Sequence, residues 1–544
     1  KPTGLRLTRN GRLFHHILFN YNSHSHILTG GHDRPAILLP VCYLVSMKRY
    51  LFFSAILGLF ALLPISLLAQ KSFDFNPRCQ LAYQQIIQLK LKAGQDLIDQ
   101  EKKANPDNLI PYFLENYIDF FILFFNEDPA DYKSRKDGLE KRLALMNGGP
   151  ENSPFYLFTK SIIRFQWAAV KIKFGYSWDA GWEFRRSFLE SKENVQAFPS
   201  FSPEAMLHGA MLVVAGTIPD GYRWLASLLN IKGTIRGGMK ELEQFIGKKE
   251  NWATLFHDEA VFYWLYLKYY IQNQKEEALA YISDNKLDVK DNLLFTFLAA
   301  NLAVNNQRSA YARGILLEKN NSPEYFDTPV WDLEMGWAAM NHLDPDAVVY
   351  LERFSRRFKG KFYLKEVLQK ISWYYYLRGD EQRADEYRHA VIERGNTVTE
   401  ADKLALKEAK TGLWPDKLLL RARLLNDGGY HLEALQWLNG KSSNDFSMPA
   451  EKTEYNYRLA RIYDDMGRRE EAIAAYLSTI RLGEQQKEYF AARAALQLGY
   501  LYEKSLDTAQ AIGYFQKCLA MKDHDYKNSL DQKAKAGIAR CKGD

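Results

Sequence analysis

Two segments near the C-terminal end repeat one order of small and bulky residues. The first is Leu459-Ala460-x-x-Tyr463-x-x-x-Gly467-x-x-x-x-Ala472-x-x-x-Tyr476; the second is Leu498-Gly499-x-x-Tyr502, then Ala511-x-x-x-Phe515. Small residues at this spacing let two antiparallel helices cross closely, and the bulky ones fill the space against the next pair. A Gly between them permits the tight turn. Such a unit cannot bury its apolar face alone, so a chain built from it must stack units in series.

This pattern resembles the tetratricopeptide repeat (TPR). The resemblance covers 251–521 and is strongest in 455–521. It implies an all-α fold, a right-handed α-solenoid of TPR-like helical hairpins. The small residue early in each second helix serves as a ruler: Ala278, Ala310, Ala347, Ala384, Ala434, Ala472 and Ala511. The wide gap before Ala434 holds 396–412, an extra helix or a long loop. The expected organisation is a leader (1–46), a signal peptide (47–69), a divergent helical-repeat region (70–250), a TPR array (251–525) and a capping helix (526–544). Within 70–250 the helices are expected at 77–104, 111–125, 135–146, 154–174, 181–189 and 203–215. Strand-like alternation and hairpin dipeptides are scarce throughout.

A second, shorter likeness falls in 209–245: Gly209, Gly216-Thr-Ile-Pro219, Leu225, Leu228-Leu229, Gly233-x4-Gly238 and Leu242. It resembles a signature of the eukaryotic outer-membrane-associated TPR family linked to inclusion-body clearance. It departs at Thr234, where that family tends to have Asp. The resemblance implies a TPR-type fold before residue 250 and carries over neither location nor role.

The N-terminal residues change the apparent charge. Seven of the 72 basic residues and one of the 65 acidic ones lie in 1–69, so the formal +7 becomes +1 for the rest. A nearly neutral body gives no electrostatic case for nucleic acid. Met47-Lys48-Arg49, the apolar run 51–69 and Ala69 before Gln70 have the layout of a secretory signal peptide cleaved after Ala69; a membrane anchor through 51–69 is the alternative. Residues 1–46 are expected to be translated upstream sequence. The chain is thus expected to be exported, to the periplasm or cell envelope. Beyond the leader three cysteines remain, Cys79, Cys518 and Cys541, an odd number without CxxC spacing. That speaks against a disulfide framework or zinc ribbon, and Cys518 is expected to be a buried thiol.

Reaction centres are not apparent. Gly233-x4-Gly238 lacks the Lys-Ser/Thr pair that a phosphate loop places after its last Gly. His257-Asp258-Glu259 lacks the spacing of a zinc helix and is expected to be a polar helix start. No Gly-x-Ser-x-Gly elbow occurs. The acidic pairs Asp332/Glu334 and Asp464/Asp465 are expected on solvated helix faces. Neither catalysis, cofactor nor metal is therefore expected.

If the first helix of each pair lines the concave face, that face carries Tyr263 and Tyr270, Trp373 and Tyr376, and Asp416, Arg423 and Asn426. It continues through Tyr457, Arg461 and Asp464 to Tyr500 and Glu503. Aromatic platforms beside charges suit a protein or peptide partner, or a glycan. The expected role is a non-catalytic scaffold in the envelope, touching the membrane only through a partner. The alternative is a glycan- or peptide-binding module associated with nutrient uptake.

Overall fold

The computed structural model describes residues 71–217, 231–284 and 287–542. The leader and signal segment lie outside them, as does much of the 209–245 signature. Helices dominate, and among the described residues extended pairing is limited to one isolated bridge, Ser72 with Asn108. No helix among them is long and apolar enough to cross a membrane.

The helices are α1 (Pro77–Ile87), α2 (Leu91–Ala104), α3 (Ile110–Asn126), α4 (Pro129–Arg135), α5 (Gly138–Asn147), α6 (Pro154–Lys173), α7 (Ser177–Ala197) and α8 (Pro203–Gly216). Next come α9 (Ile235–Ile246), α10 (Asn251–Leu255), α11 (His257–Tyr270), α12 (Lys275–Asp284), α13 (Leu293–Val304), α14 (Ser309–Glu318), α15 (Val330–Asn341) and α16 (Ala347–Arg357). The chain continues with α17 (Leu364–Leu377), α18 (Glu381–Glu393), α19 (Glu400–Thr411), α20 (Lys417–Gly428) and α21 (His431–Leu438). It ends with α22 (Pro449–Asp465), α23 (Arg469–Gly483), α24 (Phe490–Lys504), α25 (Thr508–Ala520) and α26 (Lys527–Lys542).

A single backbone device turns most pairs. The residue between paired helices adopts the left-handed region: Leu89, Gly175, Asn273, Gln307, Leu343, Gly379, Gly429, Gly467 and Leu506 all have φ between +57° and +90°. Reversing the chain in so few residues needs this conformation, which frees the last carbonyls of the first helix for capping bonds. At Gly429 the demand is doubled, because an added Cβ would also strike the Gln307 carbonyl. Four or five residues after each turn of the repeat array comes the small crossing residue. Ala278, Ala347, Ala384, Ala434, Ala472 and Ala511 are fully buried there. In the second repeat the register is corrected: Ala310 is exposed and Ala312 is the buried crossing residue.

The N-terminal helices differ in detail from expectation. The helix expected over 77–104 breaks at Leu89 into α1 and α2, and that expected over 181–189 extends over 177–197 as α7. The segment 396–412 holds a full helix, α19. At the signature, Thr234 caps α9 by accepting from the Gly237 amide at 3.0 Å. Asp at that position would cap as well, so the departure preserves the local chemistry. A Cβ on Gly209 would sit 2.9 Å from the Gly238 carbonyl, so these two glycines let α8 and α9 cross backbone to backbone.

From α1 to α19 the array curls until its first hairpin meets distant helices. The Phe326 amide donates to the Leu89 carbonyl at 2.8 Å, and Lys90 pairs with Glu324 at 3.2 Å. Phe75 packs edge-on against Trp252 and Phe256. The end of α3 meets the loop after α16, where the Lys361 and Phe362 amides point at the Glu127 carboxylate, 3.4 and 3.5 Å away. We refer to this part as the arch; one continuous core runs through it from Phe75 to Leu424. The helices α20–α26 form an array with two smaller cores. The array is tied to the arch through Gln307, which donates to the Asn426 carbonyl at 3.2 Å and to Asp465 at 2.8 Å.

Candidate functional sites on the concave face

The inner face of the arch is a cavity of about 150 Å³ walled mainly by α3, α6, α11, α13 and α15. Its lining is dominated by aromatic rings, Phe120, Phe121, Phe124, Phe125, Phe165, Phe262, Tyr266 and Phe297 among them. The polar groups in it are already engaged. Glu259 is buried and accepts from three tyrosine hydroxyls, Tyr83 at 2.7 Å, Tyr263 at 2.7 Å and Tyr117 at 3.0 Å. Burial pushes its carboxyl upward, and the three hydroxyls pull the other way. Asn301 accepts from the Tyr270 hydroxyl and donates to Glu334. Glu127 and Lys173 form a buried pair at 2.7 Å.

These acids bear on two expectations. His257-Asp258-Glu259 does open α11 as a polar helix start, but Glu259 itself is buried as the centre of a tyrosine cluster. Asp332 and Glu334 are 4% and 1% exposed, and Asp332 is held by Arg353 at 2.5 Å and Arg357 at 3.4 Å. The signal overlooked was the aromatic run Phe262–Tyr270 beside Glu259. Rings on every side of a helix indicate burial all round, which an acid in that helix must share.

The second site lies where α17, α20, α22 and α24 present their inner faces. Trp373 donates from its indole nitrogen to Glu408 at 3.1 Å, and the Arg423 guanidinium lies 5.1 Å from its ring centre. Arg458 sits against the rings of Tyr457 and Phe490 and is bound by Glu454. Arg461 pairs with Asp465 at 3.2 Å, and Arg493 lies over Tyr489. Burial alone would raise the Tyr457 hydroxyl, but Arg493, Arg461 and Arg458 outweigh it and hold it below the usual tyrosine range. The cluster thus sets half-buried Arg423, Arg461 and Arg493 and buried Arg458 against aromatic rings, with Asp427, Asp465 and Glu454 beside three of the four.

The expected concave residues divide between the two sites and the packing around them. Tyr263 lines the arch cavity, and Tyr270, 3% exposed, is core beside it. Arg423 and Arg461 are half-buried in the array groove, while Trp373, Asn426 and Tyr457 form its buried floor. Asn426 is held by Asp465 at 2.8 Å and by His431. Tyr376 stacks on Trp414 with centroids 4.5 Å apart, and Lys417 and Arg388 cap the two rings. Asp416 is spent on capping α20. Asp464 accepts from Tyr476, Tyr500 packs on Phe515, and Glu503 is locked to Arg540. Sequence reasoning passed over Arg458, one helical turn before Arg461, and Arg493, two turns before Tyr500.

Cys79 and Cys518 are buried, and burial pushes both thiols up to about 12, so neither is a nucleophile. Cys541 is also unpaired by any disulfide. Among the described residues no group of His, Cys, Asp and Glu is placed to hold a metal ion.

The tetratricopeptide-repeat family model matches residues 493–520, which are α24 and α25. No curated protein matches the chain in sequence. Solved structures similar to it include the TPR domain of P58(IPK), at 13% identity over 74% of this chain and 93% of that one, with a TM-score of 0.20. The Cut9–Hcn1 hetero-tetramer of APC/C matches at 11% identity, 84% and 95% coverage and a TM-score of 0.24. The 70 kDa soluble lytic transglycosylase of Escherichia coli matches at 12% identity, 85% coverage of each chain and a TM-score of 0.22. None of the three superposes globally. One hairpin, α24–α25, thus matches the tetratricopeptide repeat, and helix pairs with the same kind of turn and small crossing residue precede it in series.

Proposed function

We propose that the protein is an exported, non-catalytic scaffold of the cell envelope that grips a partner in the α17–α24 groove. Helical-hairpin arrays present extended concave surfaces to protein partners. The observation that carries the reading is the row of Arg423, Arg458, Arg461 and Arg493 over Trp373, Tyr457 and Tyr489. Arginine and aromatic side chains are the anchors that dominate binding energy in protein interfaces. The partner that suits them is an extended peptide with acidic and aromatic residues. A glycan is less suited, because the Tyr376–Trp414 stack is already covered by Lys417 and Arg388 on the faces a sugar would use.

Two measurements test this. Cell fractionation with N-terminal sequencing should find the chain in the envelope and beginning at Gln70; a cytoplasmic chain would refute export. Capture from envelope extract should give a stable protein partner that is lost with Arg423→Glu plus Arg493→Glu. These residues are half-exposed, so the changes spare the core. Trp373→Ala is a poorer probe, since Trp373 is 3% exposed and its loss would damage packing. Retention of the partner by the double variant would refute the groove assignment, and glycan retention without protein partners would favour the nutrient-uptake alternative.

A further inference from the structure

We infer that the arch holds a second, separate site, one that binds a medium-chain fatty-acid anion. Two spaces share a wall. The first is the apolar cavity of about 150 Å³; the second is a space of about 300 Å³ opening beside it. Glu127 and Lys173 line both.

The first space suits a hydrocarbon. Phe120, Phe124, Phe262 and Phe297 line it and are half-buried within the body of the arch. Glu259, on the same wall, is saturated by three hydroxyls and offers a ligand no unmet partner. An apolar space of this volume takes a group about the size of benzene, so about six carbons of the tail would lie inside it and the rest would reach back toward Lys173.

The second space suits an anion. Lys133, Lys136, Lys359 and Lys361 line it together with Lys173. The first four are exposed, and among the described residues none of the four is in an ion pair. Glu127 opposes an anion, but its charge is spent on Lys173 at 2.7 Å, with the Lys361 and Phe362 amides also directed at it. Five lysines against one acid leave the mouth cationic. Lys173 stands at the junction, its ammonium 4.8 Å from the Phe124 and the Phe362 ring centres. A carboxylate held there would place its chain in the Phe-lined space. The same chemistry could be offered by a free fatty acid or by a membrane lipid; the small volume of the apolar space favours the free acid.

Titration calorimetry on the full chain decides the matter, with decanoate, decan-1-ol, acetate and phosphatidylglycerol vesicles as probes. Decanoate should bind at least tenfold more tightly than decanol, and acetate should not bind. Reversing Lys133, Lys136 and Lys359 to Glu, all on the surface, should weaken decanoate about tenfold and leave decanol unchanged. Ala169→Trp, which fills the cavity, should abolish both. Should that variant unfold, the lysine reversals alone decide. Equal binding of decanoate and decanol, no binding of either, or decanoate binding that ignores the reversals would overturn the site. Vesicle binding without decanoate binding would overturn it in favour of a membrane surface.

Discussion

The arch and the array are made of the same helix pairs but hold together differently. In the array each pair leans on its neighbours, and its longest notable tie is the bond from Gln307. In the arch the first hairpin also touches what comes long after it: Tyr83 reaches Glu259, Leu89 meets Phe326, and Glu127 meets Lys361. An open stack of repeats loses stability locally, whereas a curled one shares its core. The largest expected effect tests that difference. Trp337 is fully buried in the arch, and Trp337→Ala should cost about 3–5 kcal/mol. Hydrogen exchange should then show lost protection spread from α1 to α19, with α22–α25 spared. Phe515→Ala, of similar cost, should loosen only α24–α26. If both variants lose protection over equally short stretches, the arch is no more cooperative than the array.

The buried acids sharpen the contrast. In the arch, burial raises Glu204 to about 7 despite hydrogen bonds from Asn194 and Ser191, and it raises Asp402 to about 7 as well. A carboxyl whose folded value lies above its unfolded one stabilises the fold while protonated. That contribution is complete below about pH 4 and is lost as pH rises through 7. For Glu204 it is on the order of 3 kcal/mol. In the array, burial opposes ionisation of Asp465, but Arg461, Gln307 and Asn426 outweigh it and hold its carboxyl low. Its contribution is present at neutral pH and is lost as pH falls below the usual Asp range. Exchange measured against pH should therefore show the arch loosening toward pH 8 and the array loosening toward pH 3. Glu204→Gln should flatten the arch profile and leave that of the array unchanged.

A smaller effect concerns the helix start at the 209–245 signature. Thr234→Ala removes the cap of α9 and should cost about 1 kcal/mol, read as a shift in the urea midpoint. Thr234→Asp should restore it. A failure of Asp to restore stability would mean that the Thr methyl, not the cap, is what matters there.

The legibility of the two regions follows from the same physics. The array could be read because its turns carry Gly429 and Gly467 and its crossings carry Ala. The ruler slipped at Ala310 because the turn before it uses Gln307, and two alanines stand in Ser309-Ala310-Tyr311-Ala312. The curl of the arch was not legible, since pairs such as Tyr83 and Glu259 lie 176 residues apart and neither belongs to a motif. The groove was half legible. Helical spacing placed Arg423 and Arg461 on the inner face, but the same spacing cannot tell a groove floor such as Tyr457 from a groove rim.

The smallest effect separates turns that only turn from turns that also bind. Leu506 has φ 61° and is 85% exposed, so its side chain adds strain and buries nothing. Leu506→Gly should raise stability by about 0.5–1 kcal/mol, the left-handed penalty being partly offset by a freer unfolded chain. Gln307 has nearly the same backbone, φ 57°, yet its amide ties the array to the arch. Gln307→Gly relieves the same strain but removes both hydrogen bonds and leaves Asp465 short of a donor, so it should lower stability by about 1 kcal/mol. Urea denaturation of the two variants should thus move in opposite directions. A gain for Gln307→Gly would mean that these two bonds contribute nothing, and that the arch and the array are joined by the other contacts between them, among them Lys407 with Asp525 and His342 stacked on Tyr430.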